Sequence, residues 1–547
     1  MKKKSTKYIF VVGGVMSGIG KGVASSSIGT ILKARGLNVT TIKIDPYINV
    51  DAGTMNPTEH GEVFVLSDGL ETDQDMGNYE RFLDAKLTSI NYMTTGSVYM
   101  EVIRKERNLE YKGKNVQVVP DIPLEVIKRI KKAAEKADAD VVIIEIGGTV
   151  GEYENILFLE AIRLMKQEHG EDIATVMVSY LPVPGSIGEM KTKPTQHASR
   201  TLNSAGVFPD IILARAVMPL DEKRKQKIAT FCGVRIENVI SAPDVESIYD
   251  VPINFEKDGL SEKLCKILGL KKPQVSNLKE WASFAKQSKN AEKEVKIAIV
   301  GKYFNSGEFI LSDVYISVLE AIKFSAYSLN VKPVITYISA KDFEKGESLE
   351  ILKGFDGLLV PGGFGESGIE GKIQVIKYAR ENKIPYFGLC YGMQLMVIEY
   401  ARNVLGMKDA NTSEINPNAK NLVIDIMPEQ KEKIENNNYG ATMRLGTYPA
   451  YLRKGSIAEE AYGTQNIEER HRHRYEVNPK YHIKFTEGGL VFSGVSPDRR
   501  LMEIAELSRE VHPFMLGTQF HPEFLARPLR PHPLFTAFIK ACSVVKK

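Results

Sequence analysis

The chain has 547 residues, 43% hydrophobic and 26% charged, with a formal net charge of +4. This ordinary globular composition argues against a strongly basic nucleic-acid binder, an acidic disordered chain and a collagen-like or low-complexity chain. At about 150 residues per domain the length suggests three or four folding units, or two large α/β domains of up to about 250 residues each.

Lys2, Lys3 and Lys4 ahead of the apolar run 8–16 imitate a secretory leader. Gly13 and Gly14 interrupt that run and no small-x-small cleavage site follows, so it reads as a buried first strand. No stretch of roughly 18 apolar residues occurs, and no membrane span is expected. Residues 8–14 predict a strand, 21–35 a helix stopped by Gly36, and 38–45 a second strand. Further strands are expected at 115–119, 139–147, 174–181 and 210–216, with helices at 123–137 and 154–168. Strands that are apolar on both faces and separated by helices imply a parallel sheet covered on both sides. Residues 271–294 lack a continuous apolar face and read as a linker, docked on a neighbour by Trp281. The alternation restarts with a strand at 296–303, then helix 312–328, strands 333–338 and 356–360, helix 369–381, strand 384–389 and helix 391–403. Two α/β domains with a boundary near 271–295 are expected.

Strand 8–14 leads through Ser17-Gly18-Ile19-Gly20-Lys21-Gly22 into a helix. A strand, a Gly-rich turn and a helix N-terminus cradle phosphates, because backbone N–H groups and the helix dipole converge there. Lys21 would reach the β- and γ-phosphates. Gly22 stands where a P-loop carries the Ser or Thr that binds Mg²⁺, so Asp75 and Glu145 are the expected metal ligands.

Residues 384–394 (IPYFGLCYGMQ) place Cys390 in a Gly-x-nucleophile-x-Gly turn. In 514–524 (FMLGTQFHPEF) His521 is expected at a strand end, with Glu523 on the same side of an extended chain. Cys390 as nucleophile, His521 as proton shuttle and Glu523 as its orienting group form a coherent triad. The turn VPGGFG at 360–365 offers the Gly363 N–H to an oxyanion. Cys232, Cys265 and Cys542 read as core residues. The four cysteines are too scattered for a disulfide scaffold or a metal knuckle, and point to a reducing, cytoplasmic setting. The run ERHRHRY at 469–475 reads as a solvated charge run. His169, His482, His512 and His532 have no constellation around them.

With these motifs in view, the second half resembles the class I glutamine amidotransferases, through PGGFG, GLCYGMQ and QFHPEF in that order. The first half resembles the synthetase domain of the CTP synthase family, through YIFVVGGVMSGIGKG, KIDPYINVDAGTMNPTEHGEVFVL, DGLETDQDMGNYERF, IEIGGTVGEYE and GEMKTKPTQH. The likeness covers nearly the whole chain. It implies two parallel-sheet, three-layer α/β domains. These are a P-loop, dethiobiotin-synthetase-like amidoligase domain at 1–270 and an amidotransferase domain at 296–547, joined by a linker at 271–295. The implied reaction is UTP + ATP + glutamine + water → CTP + ADP + phosphate + glutamate. It would proceed by a 4-phosphorylated UTP and ammonia channelled between domains.

The resemblance also implies residue roles. Gly18, Ile19, Gly20, Lys21, Gly22, Val23 and Asp75 would bind ATP, and Asp75 and Glu145 would bind Mg²⁺. Ser17, Lys43, Glu152, Tyr153, Glu154, Lys191, Thr192, Lys193, Pro194, Thr195, Gln196 and Lys227 would bind UTP or CTP. Gly363, Tyr391, Gly392, Met393, Gln394, Glu414 and Arg474 would hold glutamine. GTP activation, CTP as an effector, a homotetramer and filaments follow from the same likeness, with neither nucleic acid nor membrane as partner. The chain departs from the family pattern at Gly18, where relatives carry Ser, at Asp121, where His is common, at Gly440-Ala441, and across 303–313, a stretch that could bear on the GTP response. A related ATP-dependent amidoligase, such as a corrinoid amidase, and a nucleotide-gated scaffold with a vestigial glutaminase are the alternatives.

Overall fold

A computed structural model describes residues 5–56, 60–185, 188–270, 277–301, 312–363, 365–426 and 443–544. Lys2 to Lys4, the start of the expected linker, most of 303–313, Phe364, Gly440 and Ala441 lie outside the described residues. The chain divides into two compact units, one of residues up to 52 with 78–285, the other of 53–77 with 286–547. Segment 53–77, expected in the first domain, groups with the second.

The first unit is built on seven parallel strands: β1 (Lys7–Gly14), β2 (Val39–Asp45), β3 (Tyr92–Thr94), β4 (Val141–Ile146), β5 (Ile173–Tyr180), β6 (Ile211–Ala216) and β7 (Val239–Pro243). Their order is β3-β2-β4-β1-β5-β6-β7. All six residues of β4 are buried, which is what a strand covered by helices on both faces requires. Helices α1 (Lys21–Lys33), α2 (Asp75–Leu83), α3 (Val118–Lys136), α4 (Ile156–His169) and α5 (Lys193–Ser204) belong to the stretch that carries these strands. The chain turns outward from β1 in both directions along the sheet. Ligands in such sheets bind at the carboxyl ends of strands flanking that switch point.

The strand expected at 115–119 is absent. Val118 and Val119 are exposed and lead into α3, with Val119 still extended at φ −118°, ψ 125°, and Asp121 Oδ2 accepts the Gln117 N–H at 2.8 Å. Asp121 thus has a structural task at the first turn. The expected linker carries a helix, α6 (Lys279–Asn290). Its Trp281, Phe284 and Ala285 are buried on one face at i, i+3, i+4 spacing. Trp281 packs on Phe82 at 5.0 Å and its indole N–H donates to Tyr249 O at 2.7 Å, so it docks as expected.

The second unit holds β8 (Glu294–Gly301), β9 (Lys332–Ser339), β10 (Gly357–Val360), β11 (Tyr386–Leu389), β12 (Arg444–Leu452), β13 (Asn466–His473), β14 (Val491–Val495), β15 (Met502–Glu506) and β16 (Met515–Thr518). Their order is β9-β8-β10-β11-β16-β15-β14-β12-β13. The first five are parallel, as expected for this α/β class; the last four extend the sheet antiparallel. Helices α7 (Ile369–Asn382) and α8 (Tyr391–Asn403) follow β10 and β11. Among the described residues no helix is long and apolar enough to cross a membrane.

Candidate active sites

Strands β11 and β16 are parallel neighbours with Leu389 opposite Thr518. Their carboxyl ends therefore deliver Cys390 and His521 to one place, and the Cys390 N–H donates to Thr518 O at 2.6 Å. Cys390 adopts φ 50°, ψ −99°, a left-handed conformation that costs about 1–3 kcal/mol and projects the sulfur from a tight elbow. The glycines around it are required by space. A Cβ on Gly388 would stand 2.7 Å from Gly392 C, and one on Gly392 2.2 Å from Val360 O.

His521 Nδ1 donates to Glu523 Oε1 at 2.7 Å. The pair forms although the chain is not extended there, because Pro522–Leu525 is a single 3₁₀ turn that folds Glu523 back. Burial opposes charge on His521, but the Glu523 carboxylate and then Cys390 outweigh it and push the imidazole up to about 10. Gly362 approaches so closely that a Cβ would meet His521 Cε1 at 2.9 Å. The neighbouring Gly365 N–H donates to Glu414 Oε1 at 2.9 Å, so Glu414 holds the Gly-rich turn. A cavity of about 70 Å³ opens here, lined by Cys390, His521, Gly363, Arg472, Glu62 and Val63. Tyr391, Gly392, Met393 and Gln394 form the buried first turn of α8. Gln394 Nε2 donates to Tyr475 O at 2.9 Å.

The run 469–475 is not solvated. Glu469, Arg470, His471 and His473 are buried. Arg470 donates to Val65 O at 3.0 Å and Arg472 to Glu71 at 2.7 Å, both in segment 53–77. On the opposite face His471 Nδ1 and His473 Nε2 lie 2.9 Å apart. Arg444 beside them bridges Glu503 at 2.8 Å and Glu476 at 3.4 Å. Burial and then the Glu503 charge hold the Glu476 carboxyl well above the usual range, while burial and then Arg444 hold both imidazoles well below theirs. His532, also without an expected constellation, is buried and meets Glu469 at 2.9 Å. Arg474 follows β13 in a turn and is half-buried.

In the first unit, β1 runs into the glycine turn, where Gly18 (φ 71°) and Gly20 (φ 81°) take the left-handed conformation. Lys21 Nζ donates to Gly148 O at 2.7 Å. Gly13 leaves room for that lysine, since a Cβ there would meet Lys21 Nζ at 2.8 Å. Buried Lys43 pairs with buried Glu145 at 2.9 Å, and Glu145 also accepts from Tyr79 OH. A cavity of about 340 Å³, unforeseen from the sequence, flanks Gly20 and Val23. Its lining includes Arg215, Asp244 and Phe255, with Arg215 paired to Asp244 at 2.6 Å.

Glu152 Oε2 accepts the Thr149 N–H at 2.8 Å, while Tyr153 and Glu154 are exposed. Lys191, Thr192 and Lys193 gather at the start of α5, with Lys227 exposed on the following helix. Thr195 and Gln196 face inward, bonded to Ser179 at 2.8 Å and Thr192 at 3.0 Å. Asp75 opens α2. Among the described residues no three His, Cys, Asp or Glu side chains converge as a metal cluster.

Comparison with known proteins follows the same division. Residues 7–270 match the family described as CTP synthase N-terminus, and 310–541 match glutamine amidotransferase class-I. A relative named CTP synthase from Caldanaerobacter subterraneus subsp. tengcongensis is 51% identical over 536 residues, covering 98% of both chains. The chain belongs to the CTP synthase family. A second relative of that name, from Thermococcus gammatolerans, is likewise 51% identical, over 538 residues and 98% of both chains. A solved Trypanosoma brucei CTPS glutaminase domain with bound acivicin is 38% identical, with a TM-score of 0.42, and covers 46% of this chain and 95% of that one. For a CTP synthase family member, the residues that sequence reasoning missed are Arg215 and Asp244, whose only signal was their position at and just after strand ends, and Gln519, hidden inside QFHPEF.

Proposed function

We propose the following division of labour in the glutamine- and ATP-dependent amination of UTP to CTP that this chain catalyses. In the second unit, His521 takes the proton of Cys390 and the thiolate attacks the glutamine side-chain carbonyl. Glu523 holds the imidazole orientation, and the Gly363 N–H receives the developing oxyanion. Glu414 and Arg474 hold the ends of the substrate, with Tyr391, Gly392, Met393 and Gln394 forming the wall beneath it. The observation that carries this reading is the convergence of Cys390, His521 and Glu523 at the ends of adjacent parallel strands.

In the first unit, the glycine turn and Lys21 grip ATP phosphates, and the cavity beside Arg215 and Asp244 takes the base. Ser17, Lys43, Glu152 to Glu154, Lys191 to Gln196 and Lys227 bind UTP or its product. Lysines at the start of α5 suit a triphosphate. Mg²⁺ would be held by Asp75 and Glu145, hard oxygen donors of the kind that share the ion with nucleotide phosphates, and it would neutralise phosphate charge. Phosphorylation of the uracil 4-oxygen turns a poor leaving group into a good one, and ammonia then displaces phosphate. Ammonia is mostly ammonium in neutral water and not nucleophilic, so an enclosed passage keeps it reactive. GTP as activator, CTP as feedback effector, a cytoplasmic homotetramer and filament formation complete the proposal. Cys390→Ala is expected to abolish glutamine-dependent CTP formation while retaining ammonia-dependent formation. Loss of both in a folded variant would sink the separation of sites.

A further inference from the structure

Gln519 lies between β16 and His521, is fully buried, and has its backbone N–H tied to Glu503 O at 2.8 Å. Its side chain is clamped at both ends. Its Nε2 stands 3.7 Å from Cys390 Sγ, and its Oε1 accepts from Gln394 Nε2 at 3.2 Å. Gln394 Nε2 in turn donates to Tyr475 O at 2.9 Å. A backbone carbonyl only accepts, so Gln394 must present its nitrogen there. Its second N–H then meets the Gln519 oxygen, and the Gln519 nitrogen is left facing the sulfur. On another side, Cys390 Sγ reaches Arg472 O at 3.7 Å. The sulfur thus stands between an acceptor suited to S–H and a donor suited to S⁻.

We propose that Gln519 is a further catalytic residue of the glutaminase reaction, its side-chain N–H holding the Cys390 thiolate. This rests on Cys390 being the nucleophile. The S–H bond breaks, its proton passes to His521 Nε2, and the electron pair stays on sulfur, where the amide N–H meets it. As that pair forms the S–C bond to glutamine, the proton on His521 goes to the departing nitrogen, the C–N bond breaks and ammonia leaves. A donor to an anion strengthens as charge appears, whereas the Arg472 carbonyl then opposes it.

The test uses the full chain and Gln519→Leu, with Gln519→Asn, one methylene shorter, as a second variant should the first fail to fold. Iodoacetamide alkylation is followed against pH, and peptide mass spectrometry identifies the modified thiol. Glutamate release and ammonia-dependent CTP formation are measured alongside. In the native chain Cys390 should alkylate ahead of Cys232, Cys265 and Cys542. In the variant its rate at pH 7 should fall about ten-fold, with the inflection moved to higher pH. Glutaminase kcat should fall by a similar factor, KM for glutamine should change less than two-fold, and ammonia-dependent synthesis should persist. A folded variant with the native alkylation curve and native kcat overturns the role of Gln519. Native alkylation at a thiol other than Cys390 overturns the nucleophile assignment instead.

Discussion

Gly392→Ala tests how tightly the nucleophile elbow is built. The new Cβ would stand 2.2 Å from Val360 O, whereas ordinary contact begins at 3.4 Å, so the two must part by about 1.2 Å. Neither side yields readily. Val360 ends β10 with its backbone in the ladder opposite Gly388, and Gly392 O is pinned by Tyr386 OH at 2.9 Å. The strain goes into the first turn of α8 and therefore into Cys390. Overpacking of this kind costs about 1–3 kcal/mol, and a displacement of about 1 Å at a reacting atom costs roughly 10²-fold in rate. Glutamate release should fall by about that factor, with a lowered thermal midpoint. Ammonia-dependent CTP formation, measured on the same preparation, should stay within about two-fold. Native glutaminase at an unchanged midpoint would refute the steric reasoning, and equal loss of both activities would refute its confinement to the elbow.

His521 is raised in the folded chain from its ordinary 6.5 to about 10. Its stabilising contribution is therefore complete below pH 6.5 and lost as pH climbs through 10. The stability deficit of His521→Gln should be largest near pH 6 and shrink toward pH 10 in denaturant titrations; a deficit that grows with pH would contradict this. Lys43→Met strands buried Glu145 without its 2.9 Å partner, at a cost of about 3–5 kcal/mol. It should destabilise the chain and stop CTP formation from either nitrogen donor, and native stability with normal synthesis would overturn the assignment of Lys43.

Much of this was legible because local signals and tertiary demands agreed. Strand β4 is apolar on both faces, and only a doubly covered parallel strand uses such a run. Cys390 was legible because an elbow needs small neighbours, and Gly388 and Gly392 mark it in the sequence. The misreadings share a cause. Val118 and Val119 look like strand residues and Val119 is indeed extended, but the Asp121 carboxylate receives the Gln117 N–H and the chain turns into the body of α3 directly after them. Trp281, Phe284 and Ala285 form an apolar face little more than one turn long, diluted by lysines to either side. The pocket beside Arg215 and Asp244 joins α1, β6, β7 and the residues after β7, and no single window of sequence contains it.

The run 469–475 carries the most instructive misreading. Burying so many ionisable groups is prohibitive unless each finds a partner, and its partners are distant in sequence. Arg444, Glu476 and Glu503 serve one face of β13, while Val65 and Glu71 serve the other. Because side chains alternate along a strand, a slip of one residue would turn Arg470 and Arg472 toward Arg444 and leave Glu71 facing an imidazole. The observed register is therefore set against a one-residue slip. That register matters to catalysis through the backbone of the same strand. The His521 N–H donates to Arg470 O at 2.7 Å, and Cys390 Sγ reaches Arg472 O. The charges that suggested solvent thus fix the strand against which nucleophile and base are set, and an apolar β13 of equal bulk would lose this specification of register while gaining nothing at the sulfur.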